Sequence, residues 1–86
     1  MNLDGLEQVS RTVLANARSV LEQVAEAGVK ADNVVAVEGD VELFWWGDGR
    51  LRAFVICRAD GTISMVLGDG AVKFDVEKLK AFLATI

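Results

Sequence analysis

The sequence has 86 residues, of which 52% are hydrophobic, and a formal net charge of −4 from 9 basic and 13 acidic side chains. A chain of this length is expected to fold as one domain, residues 1–86. Its apolar content is higher than that of disordered proteins. The single cysteine excludes a disulfide-stapled domain, the lack of histidine excludes His-based triads and His-dominated metal sites, and the acidic balance argues against binding to nucleic acids or anionic membranes.

Residues 3–27 have the apolar periodicity of an amphipathic helix, with apolar side chains recurring at steps of three or four. Gly28 follows, at the position where a glycine commonly ends a helix. A helix of about 25 residues is roughly 37 Å long, whereas a typical strand spans about 17–20 Å. We therefore expect this helix either to break, at Ser10 or Asn16, or to extend past its sheet and leave an apolar stripe for a second chain.

The chain then changes to the two-residue periodicity of β-strands. Glycine and aspartate cluster at four points, which is typical of hairpin turns because glycine adopts positive φ and aspartate caps the turn. The turns are predicted at Gly39-Asp40, Gly47-Asp48-Gly49, Asp60-Gly61 and Gly68-Asp69-Gly70. The strands between them are predicted at about 33–38, 41–46, 50–58, 62–67 and 71–74, the spacing of an antiparallel meander.

A short amphipathic helix is predicted over about residues 75–85, with Asp75 as its N-cap. The predicted fold class is therefore α+β, in which helices cover at least one face of a sheet. It consists of a long N-terminal helix, an antiparallel four- to five-stranded meander sheet and a short C-terminal helix.

Strand alternation divides the predicted sheet into two faces, and both are apolar. The first face is expected to lie under the helices and carries Val41, Leu43, Trp45, Leu51, Ala53, Val55, Cys57, Ile63, Met65 and Leu67. The second, which we call the outer face, has an apolar centre, the aromatic patch, formed by Phe44, Trp46, Phe54, Ile56 and Val66. Its rim is charged and contains Glu42, Arg50, Arg52 and Arg58.

A solvated face of an antiparallel sheet normally carries polar residues, so we expect the aromatic patch to be covered. One possibility is that the C-terminal helix packs on it. Another is a protein interface, since Trp, Phe and Arg are enriched at interface centres. A platform for a small ligand or a single-stranded nucleic acid is a third, although the net acidity opposes nucleic-acid binding.

Few residues in the sequence suggest catalysis or metal binding. Asp48 and Asp69 are expected at the same end of the meander, but two carboxylates are too few for a cation site. Cys57 is expected to be a buried small hydrophobe, because the chain has no histidine base to activate it. Glu38 and Glu42 flank the first hairpin, where exposed carboxylates are usually solvated. We therefore predict no enzyme, no catalytic residue, no cofactor and no metal site.

One pattern in the chain resembles a loose group of small uncharacterised prokaryotic proteins, some encoded beside toxin–antitoxin or mobile-element genes. The pattern is a helix, a strand of the form G-V-x-L-x-W, a hairpin with Asp-Gly, and a short C-terminal helix. Here it reads Gly39-Asp40-Val41-Glu42-Leu43-Phe44-Trp45-Trp46, Gly49-Arg50-Leu51, Asp60-Gly61-Thr62-Ile63 and Phe74-Asp75 with Leu79 and Phe82-Leu83. The chain lacks the group's proline-rich approach to the first strand. The resemblance implies a binding or neutralising role and assigns no functional residues.

These observations together predict a non-enzymatic protein–protein interaction module that is a homodimer. It would be an inhibitory or accessory protein, of the antitoxin, immunity or phage-encoded inhibitor type, and would act by surface occlusion. The predicted interface consists of Phe44, Trp46, Arg50, Arg52, Phe54, Ile56 and Arg58. A small-ligand or cation-binding domain and a structural subunit of a larger assembly remain alternatives.

The start of the sequence, Met1 to Gly5, shows no basic leader, and no apolar run approaches the roughly 18 residues of a membrane span. We therefore expect a cytoplasmic protein. Neither a nucleic acid nor a membrane is expected as a partner, because the chain is acidic.

Overall fold

The computed structural model describes residues 9–68 and 70–85. Five strands form one antiparallel sheet in the order β1-β2-β3-β4-β5, with one helix before the sheet and one after it. The predicted α+β class and meander topology are therefore confirmed. The elements are α1 (Arg11–Glu26), β1 (Asn33–Val37), β2 (Asp40–Gly47), β3 (Arg50–Cys57), β4 (Ile63–Leu67), β5 (Gly70–Lys73) and α2 (Val76–Ala84).

The hairpin turns set the strand ends, and each strand begins and ends within one residue of its predicted position. The β1–β2 turn has φ of 49° at Glu38 and 88° at Gly39, and the β2–β3 turn has φ of 52° at Asp48 and 75° at Gly49. Two positive φ angles in a two-residue loop are the type I′ geometry, whose twist matches that of the strands. The first turn is thus one residue earlier than predicted.

Helix α1 begins at Arg11 rather than at residue 3. Ser10 is its N-cap, with extended backbone and a hydroxyl that accepts a hydrogen bond from the Val13 N–H at 3.3 Å. Ser10 was one of the two positions expected for a break, whereas Asn16 lies inside the helix; residues 3–8 lie outside the described residues. With 16 residues, α1 is about 24 Å long, close to the roughly 26 Å of an eight-residue strand. The expected apolar overhang of the helix is therefore not present in α1.

The core lies between the inner face of the sheet and both helices. Helix α1 contributes one buried stripe, and α2 contributes the fully buried Leu79 to the same cluster. Both helices therefore cover the same face, and the possibility that the C-terminal helix covers the outer face is wrong. The buried cluster consists of Val9, Val13, Ala17, Val20, Val24, Val41, Leu43, Trp45, Ala53, Val55, Cys57, Met65 and Leu79.

Polar contacts help to hold the two helices in place. The Asn16 side chain donates to the backbone oxygen of Gly61 at 3.2 Å and joins α1 to the β3–β4 turn. The Asp75 carboxylate caps α2 by accepting from the backbone N–H groups of Glu77 and Lys78. The two bonds to Asp75 satisfy N–H groups that a helix start otherwise leaves without partners. Within the described residues, no helix is long and apolar enough to cross a membrane.

A β-bulge interrupts the alternation between β2 and β3. Trp45 lies opposite Ala53, but Trp46 lies opposite Leu51, so Arg52 is the extra residue. Residues directly opposite in an antiparallel pair share a face, and Leu51 therefore lies on the side of Trp46, with 38% of its surface exposed. The prediction that Leu51 belongs to the core face was wrong, because strict two-residue alternation has no place for an extra residue.

Candidate protein interface

The outer face of the sheet is apolar at its centre, and neither described helix covers it. The strand register arranges its side chains in rows that cross the sheet, with neighbours on adjacent strands about 5 Å apart. One row contains Asn33, Phe44, Phe54, Val66 and Ala71. The next contains Val35, Glu42, Ile56, Ser64 and Lys73.

Phe44 and Phe54 occupy the middle of the aromatic patch. Their ring centroids are 6.0 Å apart and the ring planes are tilted by 38°, within the distance range of favourable aromatic pairs. Both rings are only partly buried, because they cover each other and the strands but no other described residue covers them from outside. The pair forms a fixed apolar surface at the centre of the sheet.

Trp46 is the most exposed part of the aromatic patch, with 51% of its surface accessible. Its indole Nε1 donates to the side-chain oxygen of Asn33 at 2.8 Å, and its backbone N–H donates to the Asp32 carboxylate at 2.8 Å. These two bonds hold the ring at one end of the sheet. A side chain that is already ordered loses less entropy when a partner binds it, which suits Trp46 to the role of an interface anchor.

The three predicted arginines lie at the two ends of the sheet rather than in a ring. Arg52, the extra residue of the bulge, packs its stem over Gly47, where an added Cβ would lie 3.0 Å from the Arg52 Cγ. Arg50 lies opposite Gly47 in the register. Because Gly47 and Trp46 are successive residues of β2 and alternate between the faces, Arg50 lies on the opposite face of the sheet from Trp46. Arg58 follows the last residue of β3, roughly 26 Å from Arg50 along the strand. Of the seven predicted interface residues, the structure brings together Phe44, Trp46, Arg52, Phe54 and Ile56.

The turn beside Arg58 is ordered by Asp60. Its carboxylate accepts hydrogen bonds from the Thr62 hydroxyl at 2.7 Å and from the Thr62 N–H at 2.9 Å. These bonds, with a smaller contribution from the charge of Arg58, lower the pKa of Asp60 below its usual value. The turn thus stays anionic next to a cationic side chain at this end of the outer face.

Sequence reasoning missed two apolar residues of the outer face, Val35 and Val37. Their exposed fractions are 40% and 41%, while Val34 and Ala36 on the same strand pack against the core. The outer face therefore extends to the edge of the sheet. In the sequence, β1 is an apolar run in which both faces carry apolar side chains. The run shows that an apolar outer side exists, but it does not show which of the residues lie on it.

A shallow depression lies on the outer face beside Phe54. Its volume is about 90 Å³, well below the range of roughly 300–1,000 Å³ that is typical of small-molecule sites. A space of this size accommodates a single side chain of a partner. It is lined by Leu51, Arg52, Ala53, Phe54, Val66 and Gly68.

A larger cleft of about 360 Å³ lies on the other side of the molecule, between the end of α1 and the start of α2. It is open, and no aromatic side chain lines it, unlike most sites for small ligands. The lining residues are Gln23, Glu26, Ala27, Val76, Glu77 and Lys80.

The remaining chemical candidates are dispersed. Cys57 is fully buried, and burial raises the pKa of its thiol to about 11, so the thiol is protonated at neutral pH. Glu38 lies in the β1–β2 turn, and Glu42 lies half-buried on the outer face. In the described part of the chain no three His, Cys, Asp or Glu residues are grouped as metal ligands. The predicted pairing of Asp48 with Asp69 cannot be placed, because Asp69 lies outside the described residues.

No protein-family model, curated protein or solved structure matches this chain.

Proposed function

We propose that the chain is a non-enzymatic protein-interaction module that binds a protein partner through the outer face and acts by occluding a surface of that partner. The observation that supports it best is that an apolar, aromatic sheet face lies opposite the side that both helices cover. Exposed apolar patches with a polar rim commonly mark protein-binding sites.

The chemistry of the outer face favours a protein over other ligands. Its depression of about 90 Å³ is too small for a typical small molecule. A nucleic acid would meet a chain of net charge −4, which opposes the electrostatic attraction that most nucleic-acid binding requires. A protein surface, in contrast, can cover Phe44, Trp46 and Phe54 together and exclude water from them.

The charged side chains at the ends of the outer face would orient the partner. Arg52 lies over Gly47 and lines the depression beside Phe54, and Arg58 follows the opposite end of β3. Charges at the rim of an interface contribute mainly to the association rate and to orientation, whereas buried aromatic side chains contribute most of the affinity. An acidic or mixed-charge partner surface with an apolar centre would fit this arrangement. An antitoxin, immunity protein or other inhibitor would work in this way, by covering the active surface of its partner.

Affinity capture tests this proposal. The bait is the full chain, and the comparison is between wild type, Phe54→Lys and a control variant, Leu14→Lys, on the exposed side of α1. Leu14 is 37% exposed and lies on the helix side of the molecule, so its substitution leaves the outer face intact. We expect a stoichiometric partner with wild type and Leu14→Lys, and loss of that partner with Phe54→Lys.

Direct binding then identifies the surface. In a Trp45→Phe variant, Trp46 is the single remaining tryptophan, and its fluorescence reports on the aromatic patch. Addition of the captured protein should shift this emission to shorter wavelength and reduce quenching by acrylamide. Equal capture by Phe54→Lys, or an unchanged Trp46 emission on binding, would contradict the proposal. Large regular assemblies of the chain alone would instead favour a structural subunit.

A further inference from the structure

The two edges of the sheet differ in their protection against pairing with another strand. The β5 edge is four residues long, begins with Gly70 and ends with the charged Lys73. The β1 edge is Asn-Val-Val-Ala-Val, with no charge, no proline and an unbroken register against β2. Proteins usually block a free edge with a charge, a proline, a bulge or a covering element. Among the described residues, β1 has none of these, and the sheet order ends there.

The backbone groups of β1 that point away from β2 follow from the hairpin geometry. The turn at Glu38 and Gly39 closes with a hydrogen-bonded pair, Val37 and Asp40. Because hydrogen-bonded and non-hydrogen-bonded pairs alternate along an antiparallel ladder, Val35 also bonds to β2. Val34 and Ala36 therefore direct their N–H and C=O groups to the open edge.

We propose that a second copy of this chain pairs its β1 antiparallel with this edge and that the two copies share one continuous ten-stranded sheet. The two-fold axis passes between the two Val35 residues. In this register Val34 of each copy exchanges backbone hydrogen bonds with Ala36 of the other, and Val37 faces Asn33. Such an interface is isologous, with the same segment contributed by both copies, as in most homodimers.

Charge and area support a second copy as the occupant. The paired segment β1 is itself uncharged, so two chains of net charge −4 bring acidic groups together only at the two ends of the contact. The outer face of one copy, five strands wide, has a projected area on the order of 400 Å², about half of what one side of a standard interface buries. Edge pairing joins the two outer faces and doubles this area. This area argument rests on the function proposed above, whereas the crosslinking and solution-mass experiments below test the edge pairing without any partner protein.

The ends of the paired segment make the dimer sensitive to salt. In the same register Asp32 of one copy approaches Glu38 of the other, at both ends of the contact. Like charges in facing positions destabilise strand pairing, and added salt screens them. We therefore expect the dimer to become tighter as sodium chloride is raised from about 0.01 to 0.15 M, over which the Debye length falls from about 30 to 8 Å.

Cysteine crosslinking tests the register. Facing non-hydrogen-bonded residues have Cα atoms about 4.5 Å apart, within the range that a disulfide can bridge. Val35→Cys should therefore form a covalent dimer under mild oxidation, seen on a non-reducing gel. Two copies of Val37 are four residues apart along the strands, roughly 13 Å, so Val37→Cys should pair but run mostly as the uncrosslinked chain on the same gel. The two valines have nearly equal exposure, 40% and 41%.

A second control, Val72→Cys, places a similarly exposed thiol (43%) on the β5 edge and should also form no covalent dimer. The native Cys57 does not compete, because it is buried as a thiol with a pKa of about 11. Equal crosslinking at all three positions would indicate random collision and overturn the proposal. Failure of Val35→Cys to crosslink would overturn it as well.

The solution mass gives an independent measurement without a disulfide. Wild type should have about twice the 9.3 kDa mass of the chain by light scattering. Val35→Lys places two like charges opposite each other at the two-fold axis and should weaken the dimer on the order of tenfold. The fold should survive, because the new lysine faces Glu42 on β2. Val72→Lys is the matched control and should remain a dimer. A 9.3 kDa wild type, or a dimeric Val35→Lys at equal concentration, would contradict edge pairing.

Discussion

The two faces of this sheet have similar apolar sequences, but one is buried and the other is exposed, and the adjacent tryptophans show the difference most directly. Trp45 is 4% exposed and its indole Nε1 donates to the backbone oxygen of Val29 at 2.7 Å. Trp46, the next residue, is 51% exposed and bonds to a surface side chain, Asn33. Hydrophobic content alone therefore does not determine which face is buried. The attachment of both helices to one side does.

The comparison also separates stability from binding. The inner face is buried against α1 and α2, so its side chains contribute to folding through the area they remove from water. The side chains of the outer face remain partly exposed in the isolated chain, so most of their apolar surface is still available to stabilise a complex. Substitutions on the two faces should therefore have different consequences, and three experiments examine this difference.

The largest expected effect comes from truncating the two tryptophans separately. Trp45→Ala should lower the free energy of unfolding by roughly 3–5 kcal/mol, since it leaves a large cavity and an unpaired Val29 carbonyl. Trp46→Ala should lower it by about 1 kcal/mol or less, because half of the ring is already in water. Urea denaturation followed by circular dichroism measures both. Similar losses for the two variants would show that the outer face is as important for folding as the inner face.

A smaller effect is expected at the start of the helix that covers the inner face. Ser10→Ala removes the N-cap of α1 and should cost about 1 kcal/mol, because the Val13 N–H loses its acceptor. The control is Ser19→Ala, on the exposed surface of α1, where the hydroxyl only accepts from the Gln23 side chain. Alanine is a better helix former than serine, so this control should change stability by a few tenths of a kcal/mol at most. Equal losses for both variants would contradict the assignment of the cap.

The smallest effect is the pH dependence of the β3–β4 turn, which Asn16 joins to α1. Hydrogen bonds from Thr62 lower the pKa of Asp60 in the folded chain, so the fold favours the ionised carboxylate. Its contribution is complete above the unfolded pKa, near 3.8, and is lost as pH falls through the lower folded pKa. Wild type should be slightly more stable than Asp60→Asn at pH 7, and the two melting temperatures should converge as pH falls below the folded pKa of Asp60.

Thr62→Val gives the complementary measurement, because it removes the hydroxyl donor but keeps the carboxylate. It should raise the pKa of Asp60 towards its usual value, as measured by NMR titration. A constant difference between wild type and Asp60→Asn from pH 7 to pH 2 would show that the Asp60 charge does not stabilise the turn.

The sequence predicted the strands well for a local reason. Turns such as Asp48-Gly49 need positive φ, which few residue types adopt easily, so their positions are visible in the sequence and define the strand ends. The core stripe of α1 and the inner side chains of β2 were visible in the same way, from periodicity. Most of the predicted patch, Phe44, Trp46, Phe54 and Ile56, is on the outer face as expected.

The errors came from features that depend on contacts distant in the chain. Leu51 was assigned to the core because nothing in its neighbourhood indicates the bulge at Arg52, which exists only in the pairing of two strands. The sequence left undecided which face of the sheet α2 covers for the same reason, since the apolar stripe of α2 could pack on either face. The exposure of Val35 and Val37 depends on β1 being at the edge of the sheet.

By itself, the sequence determined the type and order of the elements of this protein and the ends of its strands, because these follow from backbone preferences and from hydrophobic period over a few residues. Only the tertiary structure decided that both helices lie on one face, that the aromatic patch remains uncovered by them, and that β1 is an uncharged edge. These properties depend on which surfaces meet, and two apolar surfaces of similar composition compete for the same helices. The helices can bury only one of them, and the other is the surface that we propose for binding.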